Sequence, residues 1–239
     1  MKHALVTGGS GGIGAAICRR LATDGYHVLI HANRNMAGAH SLVDEIIATG
    51  GSAQALGFDI TDHAAVVATL TPLTEQTPIQ VLVNNAGIHD DVVFPGMSQE
   101  QWQRVMDVSV NGFYNVTHTL IMPMIRTRWG RIINVSSIAA LTGNRGQVNY
   151  AAAKGAINSA TKSLAREIAT RGITVNAVAP GIIATAMSAA SFSAEHIAQS
   201  VPMKRAGQPN EVADLIGFLV SPQAAYITGQ VISINGGMI

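Results

Sequence analysis

The chain has 239 residues, 48% hydrophobic and only 12% charged, with a formal net charge of +1. This predicts one large domain with a sizeable core and excludes a disordered chain; the balanced charge, with no run of five like charges, gives no basis for binding nucleic acid or a bulk anionic surface. The single cysteine, Cys18, rules out an intrachain disulfide, no stretch of eighteen apolar residues occurs, and Met1-Lys2-His3 leads straight into a strand, so the expectation is a soluble, cytoplasmic protein.

Ala4-Leu-Val6 predicts a strand ending in Thr7-Gly-Gly-Ser-Gly-Gly-Ile-Gly14. Ile13, Ile17 and Leu21 then give residues 13–23 helical periodicity, with Cys18 as a small core side chain. The glycines fit either Gly9-x-Gly11-x-x-Gly14 or Gly8-x-x-x-Gly12-x-Gly14. Either spacing lets the backbone approach a pyrophosphate at a helix N-terminus; a plain turn is the competing reading. Tyr26 to Ala32 predicts the second strand. Nicotinamide-binding folds place an acid about 20 positions after the glycines to hold the ribose 2′-hydroxyl, yet no acid stands between Asp24 and Asp44. Arg34, in His31-Ala-Asn-Arg-Asn35, can instead meet a 2′-phosphate with a bidentate fork, which favours NADP; otherwise it is an exposed loop arginine.

Residues 36–49 read as helix and Ser52 to Phe58 as strand, after which Thr61 or Asp62 caps a helix ending before Pro78. Asp59 is placed to accept from an adenine amino group, or simply to enter that helix. Ile79 to Val83 delivers Asn84-Asn-Ala-Gly87, where the amides can tie neighbouring loops together and Gly87 permits close backbone approach. Ser98 with Glu100-Gln101 opens one long helix reaching about Arg126. Arg131 to Ser136 predicts a buried strand with Ser137 at its carboxyl end, and the next helix runs to about Arg171. On that helix Tyr150 and Lys154 project from one face, one turn apart. A phenol titrates near ~10, and a neighbouring ammonium favours its phenolate, which makes a proton-transfer pair. Taken alone, the same spacing also fits an ordinary helix surface. Ile173 to Val178 is the sixth strand, closed by Ala179-Pro-Gly181; residues 186–206, rich in Ala and Ser, predict a mobile lid. Helix 209–220 and strand Gln230 to Ile234 complete a Rossmann-type, doubly wound parallel α/β sheet of about seven strands in a single domain. The histidines at 3, 27, 31, 40, 63, 89, 118 and 196 show no metal-ligand spacing, so no metal is expected.

Thr7-Gly-x-x-x-Gly-Ile-Gly14, Asn84-Asn-Ala-Gly87, Ser137, Tyr150-x-x-x-Lys154 and Pro180-Gly-Ile-Ile-Ala-Thr185 fall in the order and spacing of the short-chain dehydrogenase/reductase family, and the resemblance covers essentially the whole chain. More narrowly, Gly143-Asn-Arg-Gly-Gln-Val-Asn-Tyr-Ala-Ala-Ala-Lys154, Arg171-Gly-Ile-Thr-Val-Asn-Ala-Val-Ala-Pro-Gly181 and Ala225-Tyr-Ile-Thr-Gly-Gln230 through Asn235-Gly-Gly-Met238 resemble 3-oxoacyl-[acyl-carrier-protein] reductases. The resemblance implies that Ser137 holds the substrate oxygen, that Tyr150 donates a proton as hydride leaves the nicotinamide, and that Lys154 lowers the Tyr150 pKa while binding the nicotinamide ribose. It implies cofactor contacts from Gly8, Ser10, Gly12, Ile13, Gly14, Arg34, Asp59, Ile60, Asn85, Ala86, Gly87, Tyr150, Lys154, Pro180, Gly181, Ile183 and Thr185, with Thr185 and the backbone around Ile183 fixing the carboxamide. The implied reaction is NADPH-dependent reduction of 3-oxoacyl thioesters on acyl carrier protein, in fatty-acid or related polyketide or polyene lipid synthesis. The carrier would dock at Arg128 and Arg171, which are otherwise solvated helix-end charges, and the assembly would be a homotetramer or a hetero-oligomer with a related subunit.

Two positions depart from the family's pattern. Ser109 stands where the family carries an asparagine that kinks its helix and holds a water in the proton path; Asn111, about 200° further round a helix, cannot take over. Gly11 stands where NADP-preferring relatives often carry a basic residue, which leaves Arg34 as the main charge for a 2′-phosphate. The alternatives are a reductase of acyl-CoA or of a small carbonyl substrate, and, suggested by Ser109, a catalytically weak NADP-binding partner subunit.

Overall fold

Short strands with apolar side chains on both faces can be satisfied only by a sheet covered on both sides. The computed structural model describes residues 1–185 and 193–239. Among them are the strands β1 (His3–Val6), β2 (His27–Ala32), β3 (Ser52–Gly57), β4 (Ile79–Asn84), β5 (Gly130–Val135), β6 (Ile173–Pro180) and β7 (Val231–Ile234). All pair in parallel, in the order β3-β2-β1-β4-β5-β6-β7. The connecting helices are α1 (Gly12–Thr23), α2 (Met36–Ala48), α3 (His63–Gln76), α4 (Gln99–Met106), α5 (Gly112–Thr127), α6 (Ala139–Thr142), α7 (Val148–Ile168), α8 (Ala194–Ser200) and α9 (Pro209–Val220).

The two-residue period of each strand splits the core in two. Ala4, Val6, Val28, Ile30, Val81 and Val83 point towards α1, α2 and α9. Leu5, Leu29, Leu82 and Ile132 point the other way, towards α3, α5 and α7. Each fully buried Leu or Ile here contributes roughly 1.5–3 kcal/mol of burial. Cys18 is a core residue under the first layer, and burial raises its thiol pKa.

Local chemistry sets the helix starts. The Asp62 carboxylate accepts from the Ala65 amide at 3.0 Å, which makes Asp62 rather than Thr61 the cap of α3. Ser98 and Gln101 form a reciprocal capping box at α4. The predicted helix from Ser98 to Arg126 is interrupted, because Asp107–Asn111 form a π-helical turn between α4 and α5. The Tyr150 helix ends at Ile168, followed by a 3-10 turn over Ala169–Arg171.

Strand ends shift from the predicted positions where a partner strand decides them. β6 continues past Val178 to Pro180 because Ala179 and Pro180 pair with Ser233 and Ile234 of β7, whereas Gln230, expected in that last strand, precedes it. Tyr26 stays outside β2, its amide held by the Leu21 carbonyl at the end of α1. Phe58 and Ser136 fall just beyond β3 and β5, while β5 begins at Gly130 rather than Arg131. The expected lid falls partly on residues 186–192, outside the described residues; after them Ala194–Ser200 is helical and Ile183 bridges to Gly207. Among the described residues no helix is long and apolar enough to cross a membrane, and no group of three His, Cys, Asp or Glu side chains is placed to hold a metal ion.

Candidate active site

A parallel sheet delivers all its strand carboxyl ends to one edge, and reversal of strand order between β1 and β4 opens a crevice there. Into this edge β1 leads Gly8, Ser10, Gly12, Ile13 and Gly14, β2 leads Arg34, and β3 leads Asp59 and Ile60. From the other side β4 brings Asn85, Ala86 and Gly87, β5 brings Ser137, and β6 brings Pro180, Gly181, Ile183 and Thr185.

The glycine turn is built for close backbone approach. Gly8 has φ +62°, a conformation costly for other residues, and its carbonyl accepts from Gly11 at 3.2 Å and from the Asn85 side chain at 3.0 Å. A Cβ on Gly14 would come within 2.2 Å of that same carbonyl, so the first turn of α1 packs on the loop only if residue 14 is glycine. The Thr7 hydroxyl accepts from the Asn85 and Ala86 amides, both at 3.0 Å, locking this turn to the end of β4. Asp59 is exposed, and its carboxylate is held below its usual range by bonds from Thr61 and Asn33 that outweigh desolvation. Arg34 is exposed and has no ion pair among the described residues.

Ser137, Tyr150 and Lys154 converge beside Gly87. The short helix α6, unpredicted from sequence, turns the chain after β5 so that the Ser137 hydroxyl accepts from the Ala139 amide at 3.1 Å and faces the Tyr150 phenol within hydrogen-bonding reach. Lys154 is buried, its Nζ donating to the Val135 carbonyl at 2.8 Å and lying 5.7 Å from the centre of the Tyr150 ring. Burial lowers the Lys154 pKa from 10.5 to about 8. The expectation that Lys154 lowers the Tyr150 pKa is not met in this structure: burial raises it, with the Ser137 bond opposing and Asp91 adding to the rise. The Lys154 ammonium meanwhile donates to the Val135 carbonyl. The phenol is therefore a held proton, a donor in waiting.

Ser109 lies in the π turn, 4% exposed, and its hydroxyl has no hydrogen-bond partner among the described residues. It lines a cavity of about 10 Å³ with Thr7, Asn84, Gly112 and Lys154, about what one water needs. Asn111 is exposed and donates to the Asp107 carboxylate at 2.7 Å, so it does not reach this cavity.

Several contacts here have no local sequence signature. Asn84 donates to Thr117 and Asn134, and Asn134 to Thr161, a buried polar chain that joins β4, β5, α5 and α7 beneath the site. The loop after β4 is pinned beside Tyr150 by the ion pair Arg104–Asp90 and by a hydrogen bond between His89 and Asp91, with Gln147 bonding Asp91; the His89 ring stands edge-on to Tyr150 at 6.3 Å. The adjacent acids Asp90-Asp91 after Asn84-Asn-Ala-Gly87 were the available hint. Arg128 and Arg171 do not join the site. Both are exposed at the amino ends of β5 and β6, where Arg128 bonds the Thr170 carbonyl, roughly 20 Å from Ser137 along a strand rising about 3.3 Å per residue.

Comparison with known proteins agrees with this architecture. The family model described as short chain dehydrogenase matches residues 2–196. The chain is similar to 3-oxoacyl-[acyl-carrier-protein] reductase of Synechocystis sp., 45% identical over 99% of this chain and 96% of the relative. It is also similar to 3-oxoacyl-[acyl-carrier-protein] reductase FabG of Aggregatibacter actinomycetemcomitans (42%, covering 98% of each chain) and to Nodulation protein G of Azospirillum brasilense (40%, covering 99% and 98%). With the parallel sheet, the glycine turn and the clustered Ser137, Tyr150 and Lys154, these matches establish that the chain belongs to the short-chain dehydrogenase family and is an oxidoreductase that binds a nicotinamide cofactor.

Proposed function

We propose that this protein is an NADPH-dependent reductase of 3-oxoacyl thioesters carried on acyl carrier protein, yielding 3-hydroxyacyl thioesters for fatty-acid or related polyketide or polyene synthesis. The observation that carries the reading is Tyr150, protonated beside the Ser137 hydroxyl and over the Lys154 amine. When bound, the dihydronicotinamide supplies the hydride. The chain's own groups do the rest. The glycine turn and the amides at the start of α1 receive the pyrophosphate, and Arg34, exposed and without an ion pair among the described residues, takes the 2′-phosphate. Ser137 donates to the substrate carbonyl, and Tyr150 gives its proton to that oxygen as negative charge develops there. Lys154 holds the nicotinamide ribose, and the proton lost from Tyr150 is replaced through the cavity at Ser109.

Carrier docking at Arg128 and Arg171 gains a condition from the fold. These residues lie at the opposite end of β5 from Ser137, so a carrier bound there serves the site of another subunit in a tetramer, homomeric or shared with a related chain. The experiment is steady-state turnover of 3-oxoacyl groups on acyl carrier protein and on coenzyme A, with Tyr150→Phe as control. A drop in kcat of about a thousandfold or more in a folded, nucleotide-binding Tyr150→Phe variant is expected from loss of the proton donor. An active variant, or no turnover of either thioester by the wild type, would refute the proposal.

A further inference from the structure

His31, near the carboxyl end of β2, is 2% exposed and takes no part in the proton transfer described above. Both ring nitrogens are committed: Nδ1 accepts from the Gly8 amide at 3.1 Å, and Nε2 lies 2.9 Å from the Phe58 carbonyl. An amide N–H can only donate and a carbonyl can only accept, so the pair fixes the ring as the neutral tautomer with its proton on Nε2. The main chain repeats the grip, with the Gly9 amide donating to the His31 carbonyl at 2.8 Å, and the ring packs on Phe58 at 4.2 Å. Gly8 is the residue of positive φ in the glycine turn, so the direction of its peptide depends on the acceptor that receives its N–H. A single imidazole thus spans the turn after β1 and the end of β3, from which Asp59 and Ile60 continue.

We propose that His31 is a positioning residue for the adenosine half of the nicotinamide nucleotide, its neutral ring holding the glycine turn against the carboxyl end of β3 at the spacing that binding requires. The inference rests on the cofactor reading above and concerns the flank of the crevice where the residues after β2 meet the adenosine ribose. Protonation would place a second N–H on Nδ1, donor against donor at Gly8, and release the turn. Desolvation lowers the His31 pKa from 6.5, outweighing the Phe58 carbonyl and Asp59, the charged group that bears on the ring. The brace is therefore complete at neutral pH and is lost only as pH falls below the usual histidine range.

The test reads nucleotide binding rather than turnover: isothermal titration of NADPH into the full chain between about pH 8 and about pH 5. His31→Asn keeps an acceptor near the position of Nδ1 but does not titrate, and His31→Leu keeps bulk without an acceptor. At neutral pH, His31→Leu should weaken binding about tenfold, the scale of one buried amide left without a partner, while kcat at saturating nucleotide stays within about twofold. His31→Asn should bind within about threefold of wild type and lack the acid-side loss of affinity that wild type shows. Unchanged affinity in a folded His31→Leu protein overturns the inference. If His31→Leu does not fold, wild type and His31→Asn decide the matter, and parallel curves down to about pH 5 overturn it. Absence of saturable binding by wild type at any pH would instead overturn the cofactor reading, and this inference with it.

Discussion

Replacing Lys154 by methionine should make the protein more stable and inactive. Lys154 is 4% exposed, its ammonium donates to one carbonyl, and burial lowers its pKa from 10.5 to about 8. At about 1.4 kcal/mol per pH unit, that gap is a penalty of about 3 kcal/mol on the charged amine at neutral pH. The unfolded chain keeps the proton up to about pH 10.5, while the folded chain gives it up above about pH 8. The penalty is thus full below the folded value and is relieved as pH rises between the two. Methionine fills the same space without charge and forfeits one hydrogen bond, about 1 kcal/mol. The net gain of about 2 kcal/mol corresponds to a Tm rise of about 5 °C in a domain of this size. Calorimetry at neutral pH would show it, and the difference should shrink towards about pH 10 as wild type sheds its proton. A methionine variant that melts at or below wild type at neutral pH would refute the reasoning that this ammonium is retained for function against stability.

Arg34→Ala should weaken NADPH much more than NADH, because the lost charge-assisted bonds involve only the 2′-phosphate; equal losses in kcat/KM with both nucleotides would remove Arg34 from that role. Ser109→Asn should be tolerated or raise kcat, since an amide can partner the groups lining the cavity beside Lys154. A loss of roughly several hundredfold in a folded variant would mean that the π turn is rebuilt around serine. Reversing Arg128 and Arg171 to glutamate should lower kcat/KM for carrier-bound substrate by about tenfold, an effect that shrinks with salt, and leave small diffusible thioesters nearly untouched. An equal effect on both substrate types would exclude carrier docking at these residues.

What the sequence made legible is what local spacing encodes. The strands are buried apolar runs between glycine and helix signals, so their existence and parallel pairing could be read before any contact was known. Tyr150 and Lys154 are one helical turn apart in any α-helix, and Ser137 follows directly from the end of β5. Contacts between distant segments were not legible. Strand lengths depend on the neighbouring strand, as β6 shows at Ala179 and Pro180. The π turn adds one residue to a helical turn without disturbing the apolar pattern around it, so the periodicity from Trp102 to Leu120 passes over it. His31 looked like any strand histidine because its partners, Gly8 and Phe58, lie 23 and 27 residues away. The upward pKa shift of Tyr150 comes from burial, which depends on how distant segments pack around the phenol, and spacing along a helix does not contain that.

The overall charge of +1 also concealed the local field. Acidic side chains near the crevice are already engaged: Asp59 by Thr61 and Asn33, Asp90 by Arg104 and Gln101, Asp91 by His89 and Gln147. The donors are not. The free amides at the start of α1, the exposed guanidinium of Arg34 and the carboxylate-free ammonium of Lys154 all belong to one strand edge. A strand edge that gathers free amides, a guanidinium and an ammonium favours a ligand that carries negative charge and hydroxyls along its length. A phosphorylated dinucleotide has that character, and its binding would offset the penalty that burial places on Lys154. The same arrangement that costs the empty fold stability therefore couples folding to cofactor binding, which is why affinity for the nucleotide and resistance to unfolding should rise together.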